Sequence, residues 1–386
     1  MNLGVFFTRG ISLKIWKESG LLDREKLIYE EHLKNRTFDQ VYWFTYGKDD
    51  KELSQELCGL KEIHESIRIV QMPWIFNSWI GCLIYSFLMP FLQWKILKKM
   101  DILKTNQMDG SWSGIITKVL LNKKLVLRTG YTLTQLRKKA TKQNWKSSLK
   151  IFLYSLIEKI GYHFADIGVV TSNHSKVYIE KRYKTKINKV RVIPNFVDSD
   201  RFYPFADIEK YSDRIIFIGR LTPIKNIFNL ISAISMTNLT LDIYGDGNLK
   251  DELSKYSKKL NSKVNFKGII SNSKVPEILN QYKYFVISSL FDSMPKTLLE
   301  AMSCGLICIG TDVIGINEII VDGKNGFLFA GTEAILLKKK IDFVTHGDFG
   351  HVGDNARKSV QKFYSIKEVI DKENRLFSEL FDKGTV

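Results

Sequence analysis

Cysteine and proline are scarce in this chain. Its 386 residues include four cysteines and seven prolines, and Cys58, Cys82, Cys304 and Cys308 form no C-x-x-C pair and have no histidine-rich partner spacing. Neither a zinc site nor a disulfide frame is suggested, and a reducing, cytosolic environment is expected. Ser/Gly-rich tracts are absent, which argues against modules strung on linkers, and 44% hydrophobic with 26% charged residues is globular usage. The opening MNLGVFFTRG lacks the basic, long apolar and small-residue regions of a signal peptide, so export is not expected. A chain of this length has room for two or three domains with ample core.

Acidic residues are in the minority, and unevenly so. The chain has 58 Lys+Arg against 41 Asp+Glu, a net charge of +17. Residues 1–100 carry 14 basic and 12 acidic groups, residues 101–196 carry 19 and 5, and residues 197–386 carry 25 and 24. Such a patch favours a polyanion: nucleic acid, anionic lipid or a phosphorylated substrate. No RNP-like or helix-turn-helix signature accompanies it, so a nucleic-acid-binding protein is the weaker reading and no nucleic-acid partner is expected.

Charge is missing altogether from the 26 residues between Ile69 and Trp94. The length permits a membrane span. Against a span stand Pro73, Asn77, Pro90 and Gln93, and a crossing here would strand part of one sheet on the wrong side of the bilayer. The other readings are a buried helix and a helix dipping into one leaflet. Trp74 and Trp79 within the run, Lys95, Lys98 and Lys99 directly after it, and Arg137, Lys138, Lys139 and Lys142 further on support the interfacial reading. For the basic run, the alternative is a solvated helix face.

What remains reads as alternating strands and helices. Asn2–Phe7 and Gln40–Tyr46 are strand-like around a helical pattern at Leu21–Leu33, the rhythm of a parallel sheet. Lys124–Arg128, Ile167–Thr171 and Lys189–Ile193 continue it. A second series holds Ile215–Ile218, Leu241–Tyr244, Val264–Phe266, Tyr284–Ile287 and Leu306–Gly310, and the two meet near Pro194–Pro204.

Two segments carry chemistry. Ser288-Ser-Leu-Phe-Asp-Ser-Met-Pro-Lys-Thr-Leu-Leu-Glu300 follows a strand and opens a helix at Thr297, so free backbone N–H groups in the loop can receive an anion or sugar hydroxyls. Asp292 and Glu300 bracket that loop; a carboxylate in the first helical turn suits paired hydroxyls, and a purely electrostatic role at the helix N-terminus is the competing reading. Phe217-Ile-Gly-Arg-Leu-Thr-Pro-Ile-Lys-Asn226 is again strand, glycine loop, helix start. There Arg220 offers a bidentate fork and Lys225 a point charge, together suited to a diphosphate. Leu241-Asp-Ile-Tyr-Gly-Asp-Gly247 has only part of a dinucleotide fingerprint and reads mainly as a tight turn.

In combination these segments resemble the family-four retaining glycosyltransferases of the GT-B fold (glycosyl transferases group 1). The resemblance runs over residues 165–330, where Ala165–Ser172, Val192–Asp198, Gly310–Ile320 and Asp322–Gly326 also match. It implies an α/β chain of two Rossmann-like domains facing across a cleft: 1–196 on the acceptor side, 197–365 binding the nucleotide sugar, and a helix at 366–386 packing back on the first. It further implies that Arg220 and Lys225 bind the donor diphosphate and Glu300 the ribose. Asp292 and the backbone of Ser293, Met294, Pro295, Lys296 and Thr297 would face the transferred sugar, and Gly10 the nucleotide. Asp292 stands where the family has Glu, and Gly10 is alone where many members have a glycine pair. His163 is expected to be a packed helix residue.

The activity so implied is metal-independent, cofactor-free transfer of a sugar with retention to a saccharide acceptor. A lipid-linked acceptor in surface polysaccharide synthesis fits the basic, aromatic N-domain, with the chain peripheral on the inner face of the plasma membrane. A soluble transferase acting on a small sugar or glucan is the alternative.

Overall fold

Residues 1–135, 145–185 and 189–382 are described by the structure, a computed structural model. The chain divides into two compact units, Met1–Ile193 with Ile370–Val386, and Pro194–Val369.

In the first unit, short β-branched and aromatic runs form β1 (Asn2–Phe6), β2 (Gln40–Phe44), β3 (Ile67–Val70), β4 (Ile102–Thr105), β5 (Lys124–Thr129), β6 (Ile167–Val170) and β7 (Val190–Val192). They pair in parallel in the order β3-β2-β1-β4-β5-β6-β7. Helices cover both faces of such a sheet, so strands such as Leu3-Gly-Val-Phe6 bury nearly every residue. Trp43 of β2 is fully buried among the rings of Phe7, Trp16 and Tyr29.

The second unit repeats the scheme with β8 (Tyr211–Ile218), β9 (Thr240–Tyr244), β10 (Val264–Gly268), β11 (Tyr282–Ile287), β12 (Ile307–Thr311) and β13 (Phe327–Phe329), ordered β10-β9-β8-β11-β12-β13 and parallel throughout. Both sheets therefore have the doubly wound order in which strand direction of travel reverses once, between β1 and β4 and between β8 and β11.

Three strands, β3, β4 and β13, are not evident in the sequence. They are three or four residues long, and Arg68 in β3 and Lys104 in β4 interrupt the apolar run. Lys104 is tolerated because it is paired: its Nζ lies 2.6 and 2.8 Å from the Glu373 carboxylate, and His32 Nε2 lies 2.8 Å from Glu373 Oε2, all three being almost fully buried. Glu373 belongs to the C-terminal helix Ile366–Asp382, whose later residues complete the first unit.

The uncharged run resolves into a helix, Trp79–Leu92, preceded by a short 3-10 turn at Trp74–Phe76. No helix among the described residues is long and apolar enough to cross a membrane. Nor is this helix wholly buried: Gly81, Tyr85, Ser86 and Met89 face inward, while Ile80, Ile84, Phe87, Leu88 and Phe91 lie on the exposed side.

Candidate active site

The reversal point between β8 and β11 brings the two sequence motifs together. Gly219–Asn226 leaves the end of β8 and Ser288–Pro295 the end of the neighbouring β11, so both loops rim one crevice at the carboxyl ends of the strands. The Leu290 N–H donates to the Ile224 carbonyl at 2.8 Å, and the Ser288 hydroxyl donates to the Lys225 carbonyl at 2.8 Å. Lys225 Nζ sits 2.5 Å from Asp292 Oδ2, with both side chains largely shielded from solvent. The sequence assigned these two residues to opposite ends of a donor; the fold makes them partners across the crevice. Arg220 is exposed at the same rim.

Glycines fix the spacing of these loops. A Cβ at Gly245 would lie 2.0 Å from the Gly219 carbonyl oxygen and one at Gly247 2.4 Å from that of Leu221, so the Gly-Asp-Gly turn after β9 serves as a close-packed support for the Arg220 loop. Gly315 supports the other loop: its φ is +88°, and a Cβ there would lie 2.1 Å from the Asp292 carbonyl oxygen. Gly315→Ala is expected to cost about 1–3 kcal/mol through backbone strain and to displace Asp292. Chemical denaturation checks this, and an unchanged midpoint would refute the packing argument.

The loop between the carboxylates differs in part from expectation. The helix runs Lys296–Ser303, which places Glu300 in its second turn and not its first, with the side chain only 3% exposed. Met294 and Pro295 were expected to turn their backbone to the donor; their side chains are buried, that of Met294 in the core with Leu298 and Met302, and proline has no N–H to offer. Ser293, Lys296 and Thr297 are partly exposed, and the Lys296 ammonium lies over the Phe196 ring. Asn195 holds the loop in place, its Nδ2 donating to the Met294 carbonyl at 2.8 Å and its backbone N–H facing Met294 Sδ at 3.1 Å. Burial, and then the charge of Glu300, push the Cys304 thiol up to about 12, so that cysteine stays protonated at neutral pH.

Two site residues escaped the sequence reading. Asn195 lies 99 positions from the loop it fastens. Ser289, two residues past the end of β11, is fully buried, and its hydroxyl has no hydrogen-bond partner among the described residues. A hydroxyl residue at the end of an apolar strand is the only local signal for it.

In the first unit, Gly10 follows β1 with φ +77° and lines a cavity of about 340 Å3. Beside it, at the β1/β4 reversal point, Arg9 engages Asp109 through two bonds of 2.9 and 3.2 Å. His163, next to last in the helix Trp145–Phe164, is exposed, against the packed position expected, because Gly161 and Tyr162 take the buried side of that turn. Trp74 and Trp79 are 76% and 73% exposed, and Lys95, Lys98 and Lys99 are exposed as well. Arg137, Lys138, Lys139 and Lys142 lie outside the described residues.

Comparison with known proteins agrees with this architecture. A family model described as glycosyl transferases group 1 matches residues 201–362, and one described as glycosyltransferase family 4 matches residues 31–201. A glycosyltransferase of Methanocaldococcus jannaschii is 29% identical over 73% of this chain and 72% of its own length. The UDP-Gal:alpha-D-GlcNAc-diphosphoundecaprenol alpha-1,3-galactosyltransferase of Escherichia coli is 26% identical over 74% of this chain and 78% of its own. The crystal structure of HepE from Anabaena in complex with UDP superposes with a TM-score of 0.75 at 16% identity, covering 98% of this chain and 100% of that one, a likeness of fold. With two doubly wound units, both motif loops at one crevice and matching models from residue 31 to 362, the chain belongs to the GT-B glycosyltransferases of family 4 and group 1.

Proposed function

We propose that the chain moves a sugar from a nucleoside-diphosphate donor to a lipid-linked saccharide with retention of configuration, in surface polysaccharide synthesis. The observation that carries this is the crevice at the β8/β11 reversal, where Arg220 and the Lys225–Asp292 ion pair stand at the rim with the Ser293–Thr297 loop, which leads into the helix bearing Glu300. In this reading the guanidinium and ammonium take the diphosphate, Glu300 the ribose, and Asp292 the transferred sugar. The bond from the anomeric carbon to the diphosphate breaks, the acceptor oxygen bonds to the same face, and its proton passes to the departing phosphate oxygen. Arg220 and Lys225 neutralise the charge that builds there, which is positioning and electrostatic stabilisation without a metal or other cofactor. The Anabaena neighbour holding UDP and the Escherichia coli relative acting on a diphosphoundecaprenol acceptor support the donor and acceptor classes.

Sugar nucleotides screened for thermal stabilisation in the presence of EDTA test the donor reading. At a hundred times its dissociation constant the right one adds about 2.7 kcal/mol. A response to none of them, or only after a divalent cation is restored, would sink it.

The exposed apolar side of Trp79–Leu92, with Lys95, Lys98 and Lys99 beyond it, is read as a peripheral contact with the anionic inner face of the plasma membrane. Each lysine near such a surface adds about 1 kcal/mol, a contribution that salt screens, whereas an embedded apolar face resists salt. Flotation with anionic vesicles is therefore expected to weaken in high salt and to disappear with detergent. Binding indifferent to lipid charge and to Lys95→Glu, Lys98→Glu and Lys99→Glu together would refute the electrostatic part.

A further inference from the structure

A larger cavity, of about 580 Å3, lies wholly within the second unit, at the amino ends of its strands. The turn Asp322–Gly326 leads into β13, which runs parallel to β12 with Phe327 beside Ile309. It therefore stands at the end of the sheet opposite the Arg220 and Asp292 loops. The helix Gly350–Phe363 forms the facing wall. His351, Asn355, Lys358, Ser359 and Lys362 recur along it at three- and four-residue steps and so share the side turned to the cavity.

Turn and helix are tied to each other. Asn325, buried at the floor, accepts the Val321 N–H at 2.7 Å and donates to the Ile319 carbonyl at 3.1 Å and the Ser359 hydroxyl at 3.2 Å. Asn355 donates across the gap to the Lys324 carbonyl at 3.1 Å. Arg357 is taken up elsewhere, donating to the Ser303 and Phe202 carbonyls at 2.7 and 3.2 Å, which anchors the helix from its other side.

Positive charge collects there without a counter-charge. Lys324, Lys358 and Lys362 line the cavity, all exposed and none with an ion pair among the described residues, and no lining residue is a carboxylate. Lys358 and Lys362 stand one helical turn apart, where like charges repel. Carboxylates are not scarce in this part of the chain, since residues 197–386 carry 25 basic and 24 acidic groups. Lysines elsewhere in the unit have partners, as Lys250 has Asp246 and Lys338 has Asp342. Of the acidic neighbours in sequence, Asp322 accepts the Leu328 N–H at 2.7 Å and faces Lys340 at 3.8 Å, and Asp354 does not line the cavity.

We infer that this cavity is a second ligand site, for a phosphomonoester carried on a small hydroxylated body such as a sugar. Three ammonium groups match the double charge and three acceptor oxygens of such a phosphate, more than a lone carboxylate calls for. Ser359 keeps its proton to donate and Asn355 its amide oxygen to accept, partners for hydroxyl groups. Phe363, half-exposed at the edge, adds a ring face for the body of the ligand. The volume falls within the roughly 300–1,000 Å3 of small-molecule sites. The site is separate from the donor crevice and goes beyond the transferase reading.

Glucose 6-phosphate, titrated by calorimetry into the full chain, tests the assignment. The parent is expected to bind it, and glucose at least tenfold more weakly. The triple variant Lys324→Gln/Lys358→Gln/Lys362→Gln should keep the parental melting midpoint and lose at least tenfold in affinity. Lys255→Gln/Lys258→Gln/Lys259→Gln removes the same charge from exposed positions on the helix Lys250–Lys259 and should bind as the parent does. Arg220→Ala should do so too, because the donor crevice is not involved. No binding by the parent, or parental affinity in the first triple variant, would overturn the site. Equal losses in both triple variants would reduce it to diffuse attraction, and loss in Arg220→Ala would place the probe in the donor crevice; either result refutes it. Capture by phosphatidic acid vesicles through these lysines, with no binding of glucose 6-phosphate, would refute the small-molecule assignment in favour of a lipid headgroup.

Discussion

Arg220→Ala is expected to leave the melting midpoint unchanged and to weaken nucleoside-diphosphate binding roughly ten- to hundredfold, the 1.5–3 kcal/mol of a charge-assisted contact. The fold should tolerate it because Arg220 is exposed, and the loop around it is held by backbone bonds from Gly219 to Tyr244 and from Leu221 to Asp246. Turnover falls as well, since the charge on the leaving diphosphate grows as the glycosidic bond breaks. Asp292→Asn supplies the contrast. It releases Lys225 from its 2.5 Å ion pair, so affinity for the bare nucleotide should hold or rise while transfer is lost. Calorimetry on both variants decides the matter; parental affinity in Arg220→Ala would show that the diphosphate lies elsewhere.

The second large effect is expected at the C-terminal helix, where Glu373→Ala should destabilise the protein by about 3–5 kcal/mol. The substitution leaves the Lys104 ammonium and the His32 ring buried without the carboxylate between them. Burial alone would raise the Glu373 carboxyl; Lys104 and His32 more than offset it and hold it well below the usual carboxylate range. Lys104 is pulled down by burial and partly restored by Glu373. With its folded pKa depressed, Glu373 contributes stability that is fully present above the ordinary carboxylate pKa and is lost as pH falls through the folded value. Urea titrations at pH 7 and pH 3 measure both points. A penalty below about 1 kcal/mol for Glu373→Ala at pH 7 would contradict the buried-charge account. Replacing all three residues by apolar ones of similar volume should recover much of the loss, because no charge is then left uncompensated.

Much of this protein is written locally. Two series of apolar strands alternating with helical periods specify two parallel α/β units, because a strand covered on both faces must be apolar throughout while its helices need only one stripe. The loops Gly219–Asn226 and Ser288–Pro295 are also legible, since a glycine or proline beside cations at a strand end is a pattern of neighbours in sequence. Strands such as Ile67–Val70 and Ile102–Thr105 are not, because their charged members are accommodated by partners far along the chain.

What tertiary structure alone decided are the pairings between distant residues and the sidedness of surfaces. Lys225 and Asp292 are 67 positions apart, Lys104 and Glu373 269, and His32 and Glu373 341. Only the order of strands in the sheets and the return of the last helix make them neighbours. The same holds for Met294, whose side chain enters the core and whose carbonyl accepts from Asn195, 99 positions away. It holds again for the uncharged run, where composition could not distinguish a span from a buried helix or a half-exposed one. Sequence periodicity sets which side chains share a face, and packing alone determines whether that face meets another helix or the solvent.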